Sequence, residues 1–335
     1  MRSSSIILKY KDKDATEVIT DEMESFTWTD VANGEADTFS VSLTDRNLKW
    51  LKGFFPSGKD YIKVWIKVSD WKKEKDNRKK YCGFFFVDGF TASGFANRFQ
   101  IDAISIPIRQ GFNVTGRNKT YKKTSVKTLM HEIAGRAGCK LVFDAKNHHI
   151  DEVSQSGETD ISFAFSLCSQ YGLCMKVYNK KLIVYDQTKY EKRKVSYTID
   201  RTDLGESDSY SFSRQITNMY DGVKIQYTNK NKKTITYKYM VPGKKGNRIL
   251  YISGNAESHT DAERKAKAQL LENLRNANKL TLTLMGDPKY LAATTFKLTG
   301  FGKLNGKYFI DRVTHSKQGK YMTTIEAHPV ITNIV

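Results

Sequence analysis

Residues 300–329 read GFGKLNGKYFIDRVTHSKQGKYMTTIEAHP, with glycine punctuation at Gly300, Gly302, Gly306 and Gly319. Between the glycines lie two strand-like runs, 307–315 and 320–328. Glycine reaches the backbone conformations that tight reversals need, so the stretch predicts a β-hairpin fed by an earlier strand. In the second run Tyr321, Thr323, Ile325 and Ala327 share one face, and Met322, Thr324 and Glu326 share the other. Nothing in it has the form of a catalytic motif. It reads as the closing strands of a barrel or sandwich, with Tyr308 and the glycines at 300, 302 and 306 as structural turn residues.

Upstream of the hairpin, Thr260 and Glu263 have capping-box spacing, in which hydroxyl and carboxylate satisfy two orphan backbone donors. Ala262, Ala266, Leu270, Leu274 and Ala277 follow at helical spacing, predicting an amphipathic helix over 260–277. Strand alternation surrounds it, from Tyr210 through Val223, Ile225 and Tyr227 to Leu280, Leu282 and Leu284. Residues 206–335 therefore form one β-rich unit. Residues 1–110 form another, with strands around Phe26, Phe39, 62–68, 81–87 and 99–103. Asn33-Gly34, in the run that ends at Asp37, is a strong hairpin-turn signal. Between them, 111–205 reads as a small α/β module. It has a helix capped by Thr124 or Ser125 and closed by Gly138, a short strand at 141–143, and a polar loop at 147–157. A second helix from Thr159 or Asp160 stops at Gly172, and a hairpin over 174–186 turns at Asn179-Lys180. The fold class is a β-rich α+β multidomain chain. An internal repeat of the two β-rich units is suspected without a residue-by-residue alignment.

The chain has 335 residues, 39% hydrophobic and 27% charged, and no apolar run of membrane-spanning length. The apolar run after Met1 is too short for a signal peptide, so the expectation is a cytoplasmic product or one that leaves by another route. Cys82, Cys139, Cys168 and Cys174 form no CxxC pair and read as buried thiols. A zinc site using Cys139, Cys168, Cys174 and His148 or His149 matches no standard module spacing. The net charge is +19, with dense lysine runs at 71–80, 189–194 and 229–233. Each run lies between strands and reads as a solvated tip that discourages edge pairing. No recognition helix, aromatic RNA-binding strand or zinc finger accompanies them, so specific nucleic-acid binding is the alternative reading.

Catalytic patterns are missing as well. There is no GxSxG and no phosphate loop ahead of a helix. Glycan hydrolysis would need paired carboxylates; Glu22 with Glu24, or Asp200 with Asp203, are the available pairs. His131, His259, His315 and His328 are scattered, with His315 and His328 placed to lie on neighbouring strands. No cofactor or metal is expected.

Residues 26–45, FTWTDVANGEADTFSVSLTD, resemble the N-terminal region of phage late control D proteins. These are the baseplate hubs of contractile tails, in the form found in prophages and phage-tail-like bacteriocins of Gram-positive bacteria. TSVKTL at 124–129, FAFSLCSQYGL at 163–173, KLIVYD at 181–186, LTLMGDP at 282–288 and GFGKLNGKYFI at 300–310 are similar to the same family in order and spacing. The resemblance implies two tail-tube-like β-barrel domains per chain and a homotrimer presenting six barrels. Such a ring would adapt a hexameric tail tube to a trimeric central spike, with baseplate wedge proteins and the tape-measure protein as further partners. It implies a non-enzymatic protein made in the host bacterial cytoplasm and assembled into a virion tail or released particle. The expectation is a chain without an appended spike or lysozyme domain, and a cell-wall hydrolase is the remaining alternative.

Overall fold

The computed structural model describes residues 2–334 apart from 54, 95–96, 109–111, 229–233, 254–255, 257 and 333. The basic run at 229–233 and the boundary expected at 110–111 lie outside the described residues.

Seven strands come from the first 104 residues: β1 (Ser3–Tyr10), β2 (Lys13–Asp14), β3 (Met23–Val31), β4 (Thr38–Thr44), β5 (Tyr61–Ser69), β6 (Arg78–Ser93) and β7 (Arg98–Ile104). Two short helices, α1 (Thr16–Glu22) and α2 (Lys49–Lys52), pack beside them. Period-two alternation decides the faces: Ile62, Val64, Ile66 and Val68 of β5 are fully buried, while Lys63 and Lys67 are not. The middle of the chain carries β8 (Arg117–Ser125), α3 (Val126–Ala137), β9 (Lys140–Asp144), β10 (His149–Glu158), α4 (Asp160–Gln170), β11 (Cys174–Tyr178), β12 (Lys181–Tyr185), α5 (Gln187–Glu191) and β13 (Tyr197–Asp200). Ser125 and Thr159 cap α3 and α4 with their hydroxyls, and Gly138 ends α3 in the left-handed region. The stretch 147–157, expected as a loop, is largely strand: β10 pairs antiparallel with β8. Both strands are polar on both faces, so alternation did not mark them.

The last part supplies β14 (Ser209–Arg214), β15 (Gly222–Thr228), β16 (Thr234–Met240), β17 (Ile249–Ser253), α6 (His259–Asn276), β18 (Asn278–Met285), β19 (Thr295–Thr299), β20 (Gly306–Gln318) and β21 (Lys320–Pro329). The capping box expected at Thr260 and Glu263 is not formed. Ser258 is the N-cap: its backbone is extended and its hydroxyl accepts from the Asp261 amide. Thr260 lies one residue inside the first turn, and Glu263 pairs with Lys267 at 3.0 Å instead.

The strands join in an unexpected way. A 13-stranded sheet runs β14-β18-β21-β20-β3-β4-β7-β6-β5-β1-β2, with β13 and β19 attached at β20. The path is open, and no ring of pairings closes among the described strands. The closing hairpin therefore does more than finish its own unit. The first part of β20 pairs with β19. A bulge at Asp311 interrupts its pairing with β21, and from Arg312 to Gln318 its other edge pairs with β3. A bulge bends a strand and raises its twist, which here lets one strand change partners and join the two β-rich ends. Separate hydrophobic cores form under β1–β7, within the middle module, under β18–β21, and between α6 and the three-stranded sheet β16-β15-β17. Tyr321 of β21 belongs to the first core rather than its own.

Candidate functional site

The side chains with unusual chemistry gather where the three parts of the chain meet. The turn after β3 makes the socket. Asp37 accepts a hydrogen bond from the Val31 amide at 2.9 Å, closing the turn, and Gly34 sits at φ +84°. Lys176 of β11 then enters. Its ammonium donates to Asp30 at 2.5 Å, to Asp37 at 2.6 Å and to the Val31 carbonyl at 2.6 Å. The Met175 amide donates to the Asn33 side chain at 2.8 Å, and the Tyr185 hydroxyl to the Ala32 carbonyl at 2.8 Å. Asp30 also accepts from the Ala292 amide at 2.9 Å, so one carboxylate touches all three parts. Burial works to lower the Lys176 pKa, and the two carboxylates outweigh it and raise it. Burial pushes Asp37 up to about 7, against the pull of Lys176. One ammonium thus bridges two buried carboxylates, and burial leaves Asp37 much harder to ionise than an exposed aspartate.

A second joint lies beside it. His328 of β21 is buried, with Nδ1 2.7 Å from Asp311 at the β20 bulge and Nε2 3.0 Å from Glu191 of α5. Glu191 also accepts from Arg275 Nη2 of α6 at 3.1 Å, and the Arg275 Nε lies 2.8 Å away in the same ion pair. Burial works to lower the His328 pKa, and Asp311 and Glu191 raise it above the ordinary value. The two carboxylates thus favour the imidazolium form, which can donate from both nitrogens. A cavity of about 290 Å³ lies between the joints, lined by Asn33, Glu35, Cys174, Arg275, Asp311 and His328 among others.

The third joint is the seam between β3 and β20. His315 stacks on Trp28 with centroids 4.8 Å apart and planes 12° apart. Its Nε2 faces the Tyr290 carbonyl at 3.1 Å, so Nε2 carries the proton and Nδ1 accepts from the Tyr321 hydroxyl at 2.8 Å. Burial lowers its pKa to about 4, keeping the ring neutral. Next to it Trp71 Nε1 donates to the Gly286 carbonyl at 2.6 Å, and Arg78 pairs with Asp287 at 2.6 Å. A Cβ on Gly286 would stand 2.4 Å from the Tyr321 ring, so only glycine allows that approach.

The residues singled out in the sequence fall in two places. Asn33, Gly34 and Asp37 form the socket. Gly300, Gly302, Gly306 and Tyr308 instead build the β19–β20 turn. Gly300 has φ +80°, and a Cβ there would meet Arg201 at 2.9 Å. Tyr308 is buried and donates to the Leu304 carbonyl at 2.7 Å. Lys176, Glu191, Arg275 and Asp311 escaped sequence reading, because each looks like an ordinary surface charge.

The residues weighed for chemistry are otherwise engaged. Asp200 accepts from Thr202 and Thr299, and Asp203 from the Asp200 amide. Glu24 pairs with Arg98, and Glu22 lies 3.8 Å from Lys49. Cys82, Cys168 and Cys174 are buried, and burial pushes the Cys174 thiol up to about 12. His148 packs on Tyr171 and His149 on Asp151. Among the described residues no group of three or more His, Cys, Asp or Glu is placed to hold a metal. No described helix is long and apolar enough to cross a membrane.

Solved structures share this arrangement from end to end. A tail protein from Neisseria meningitidis is 12% identical, with TM-score 0.72, covering 97% of this chain and 96% of that one. The 43 kDa tail protein of prophage MuSo2 from Shewanella oneidensis is 12% identical, with TM-score 0.73, covering 97% and 98%. The chain has the fold of tail proteins. An E. coli component of the type VI secretion system, itself similar in structure to the bacteriophage T4 tail proteins gp27 and gp5, is 12% identical, with TM-score 0.57 and coverage of 93% and 74%. No family model and no curated protein matches the chain by sequence. The three joints tie the two β-rich ends and the middle module together.

Proposed function

We propose that this chain is a structural baseplate hub of a contractile phage tail or tail-like bacteriocin, and that it carries no catalytic step. In this reading residues 1–110 and 206–335 are two tube-like β units, with 111–205 the module between them. Three chains would present six such units as a ring, a closed assembly of the kind that repeated heterologous contacts generate. The ring would seat a hexameric tube on one side and a trimeric spike on the other, with wedge and tape-measure proteins as further contacts. The observation that carries the reading is near-complete two-way coverage by tail-protein folds, 97% of this chain against 96% and 98% of two tail proteins. The type VI component supports the spike side, through its own likeness to gp27 and gp5. The joints support a load-bearing role, because buried His315 and His328 are both committed to holding strands together.

The test is assembly. The purified chain is examined by light scattering, alone and mixed with candidate tube and spike proteins from the same genome. Trimers that bind both partners are expected. A chain that stays monomeric at high concentration and binds neither overturns the reading.

A further inference from the structure

Residues 222–256 carry eight Lys or Arg and no Asp or Glu. Their strands form the sheet β16-β15-β17, whose inner face, with Val223, Ile225, Tyr227 and Tyr237, is buried against α6. Alternation puts the intervening side chains on the open face. Register places Lys238, Lys224 and Tyr251 in one row across the three strands. The Lys224 ammonium stands 5.5 Å from the Tyr251 ring. Tyr251 is 73% exposed, the most open of the large apolar side chains, and Ile216 follows at 66%. Arg248, at the entry to β17, donates to the Ile216 carbonyl at 2.8 Å. Among the described residues two carboxylates border the sheet, and both are engaged: Asp221 is buried beside Arg248, and Glu263 is turned toward Lys267 on α6. Among the described strands β17 pairs with β15 alone, leaving its outer edge open.

We infer that the β17 edge captures an acidic, extended segment of another protein by strand addition. An open edge offers both N–H and C=O groups, and a peptide backbone satisfies both. Alternate side chains of the incoming strand would extend the row of Lys238, Lys224 and Tyr251, with its acidic residues beside Tyr251 and facing the Lys224 ammonium that leans over that ring. A second copy of the same edge is disfavoured by like-charge repulsion. A nucleic acid would find the lysines and the tyrosine, but its phosphates only accept hydrogen bonds and leave the edge carbonyls unpaired. The surface lies apart from the three joints, and the inference does not depend on the hub reading.

Fluorescence anisotropy on the full chain tests this with three labelled probes: Ac-(Glu-Val)5-NH2, the same peptide with every backbone amide N-methylated, and oligo(dT)10. The acidic peptide should bind, and the methylated one should not. Lys224→Glu/Lys238→Glu, two surface changes, should weaken peptide binding about tenfold or more and create binding to Ac-(Lys-Val)5-NH2. Equal binding of the methylated peptide would reduce the site to charge alone and overturn strand addition. Oligo(dT)10 binding more tightly than the peptide, and losing that binding in Tyr251→Ala, would make the face a nucleic-acid platform and overturn the proposal. So would no binding of the acidic peptide at low salt. Because the assay uses the isolated chain, its failure is distinct from failure of tube and spike assembly.

Discussion

Two buried histidines sit within one hairpin with their pKa values shifted in opposite directions, and pH separates their contributions. His315 has its folded pKa depressed to about 4 by burial, below the ordinary value near 6.5. Its contribution is complete above the unfolded pKa and is lost as pH falls from about 6.5 toward 4, worth about 3 kcal/mol across that window. His328 has its folded pKa raised by Asp311 and Glu191 against burial. Its contribution is complete below about 6.5 and is lost as pH rises through the folded value. Urea unfolding between pH 4.5 and 9 should therefore show greatest stability between the two limbs. His315→Gln should flatten the acid limb and leave the alkaline one. His328→Gln should do the reverse. A variant that lowers stability equally at every pH would show that the residue acts through packing alone.

Among elements, β11 carries Lys176 into the socket and so helps anchor the middle module. Lys176→Met would leave Asp30 and Asp37 buried without their cation, and breaking a buried pair by removing one partner costs about 3–5 kcal/mol. Denaturant midpoints should fall accordingly, and limited proteolysis should cut first at the edges of the module. Lys176→Met combined with Asp37→Asn should recover part of the loss, because the second change removes a stranded charge. The cap of α6 gives a smaller test of the same kind. Ser258→Ala should cost about 1 kcal/mol, while Thr260→Ala should cost little, and the opposite order in thermal melts would restore Thr260 as the cap. These two cases show what was legible in the sequence. Regular alternation, as at Ile62, Val64, Ile66 and Val68, marks a strand because one face is wholly buried. In β8 only Tyr121 is buried, so no period survives to be read. Capping residues two apart, Ser258 and Thr260, differ by backbone conformation, which composition does not carry. Lys176 lies 146 residues from Asp30 and 139 from Asp37, and pairing at that range belongs to the fold, not the local pattern.

At the scale of the whole molecule, the sequence suggested two β-rich units with a module between, while the strands form a continuous sheet. The two arrangements differ in how they unfold. Independent units would melt separately, each with its own core. Here β3 and β20 pair from Ser25 with Gln318 to Val31 with Arg312, and Tyr321 fills the core of the opposite end. Trp71 and Arg78 of the first part bond Gly286 and Asp287 of the last. Losing either end exposes the edge and part of the core of the other, which couples their free energies. Calorimetry should thus give one transition for both ends, with calorimetric and van't Hoff enthalpies in agreement. Thr29→Pro offers a direct probe. Thr29 sits mid-strand between Thr314 and Thr38, where proline removes a ladder hydrogen bond and strands its buried acceptor at a cost of about 1–3 kcal/mol. The variant should shift the whole transition downward. A separate early transition for residues 1–104, with the last part melting at its original temperature, would mean that the seam does not couple the ends.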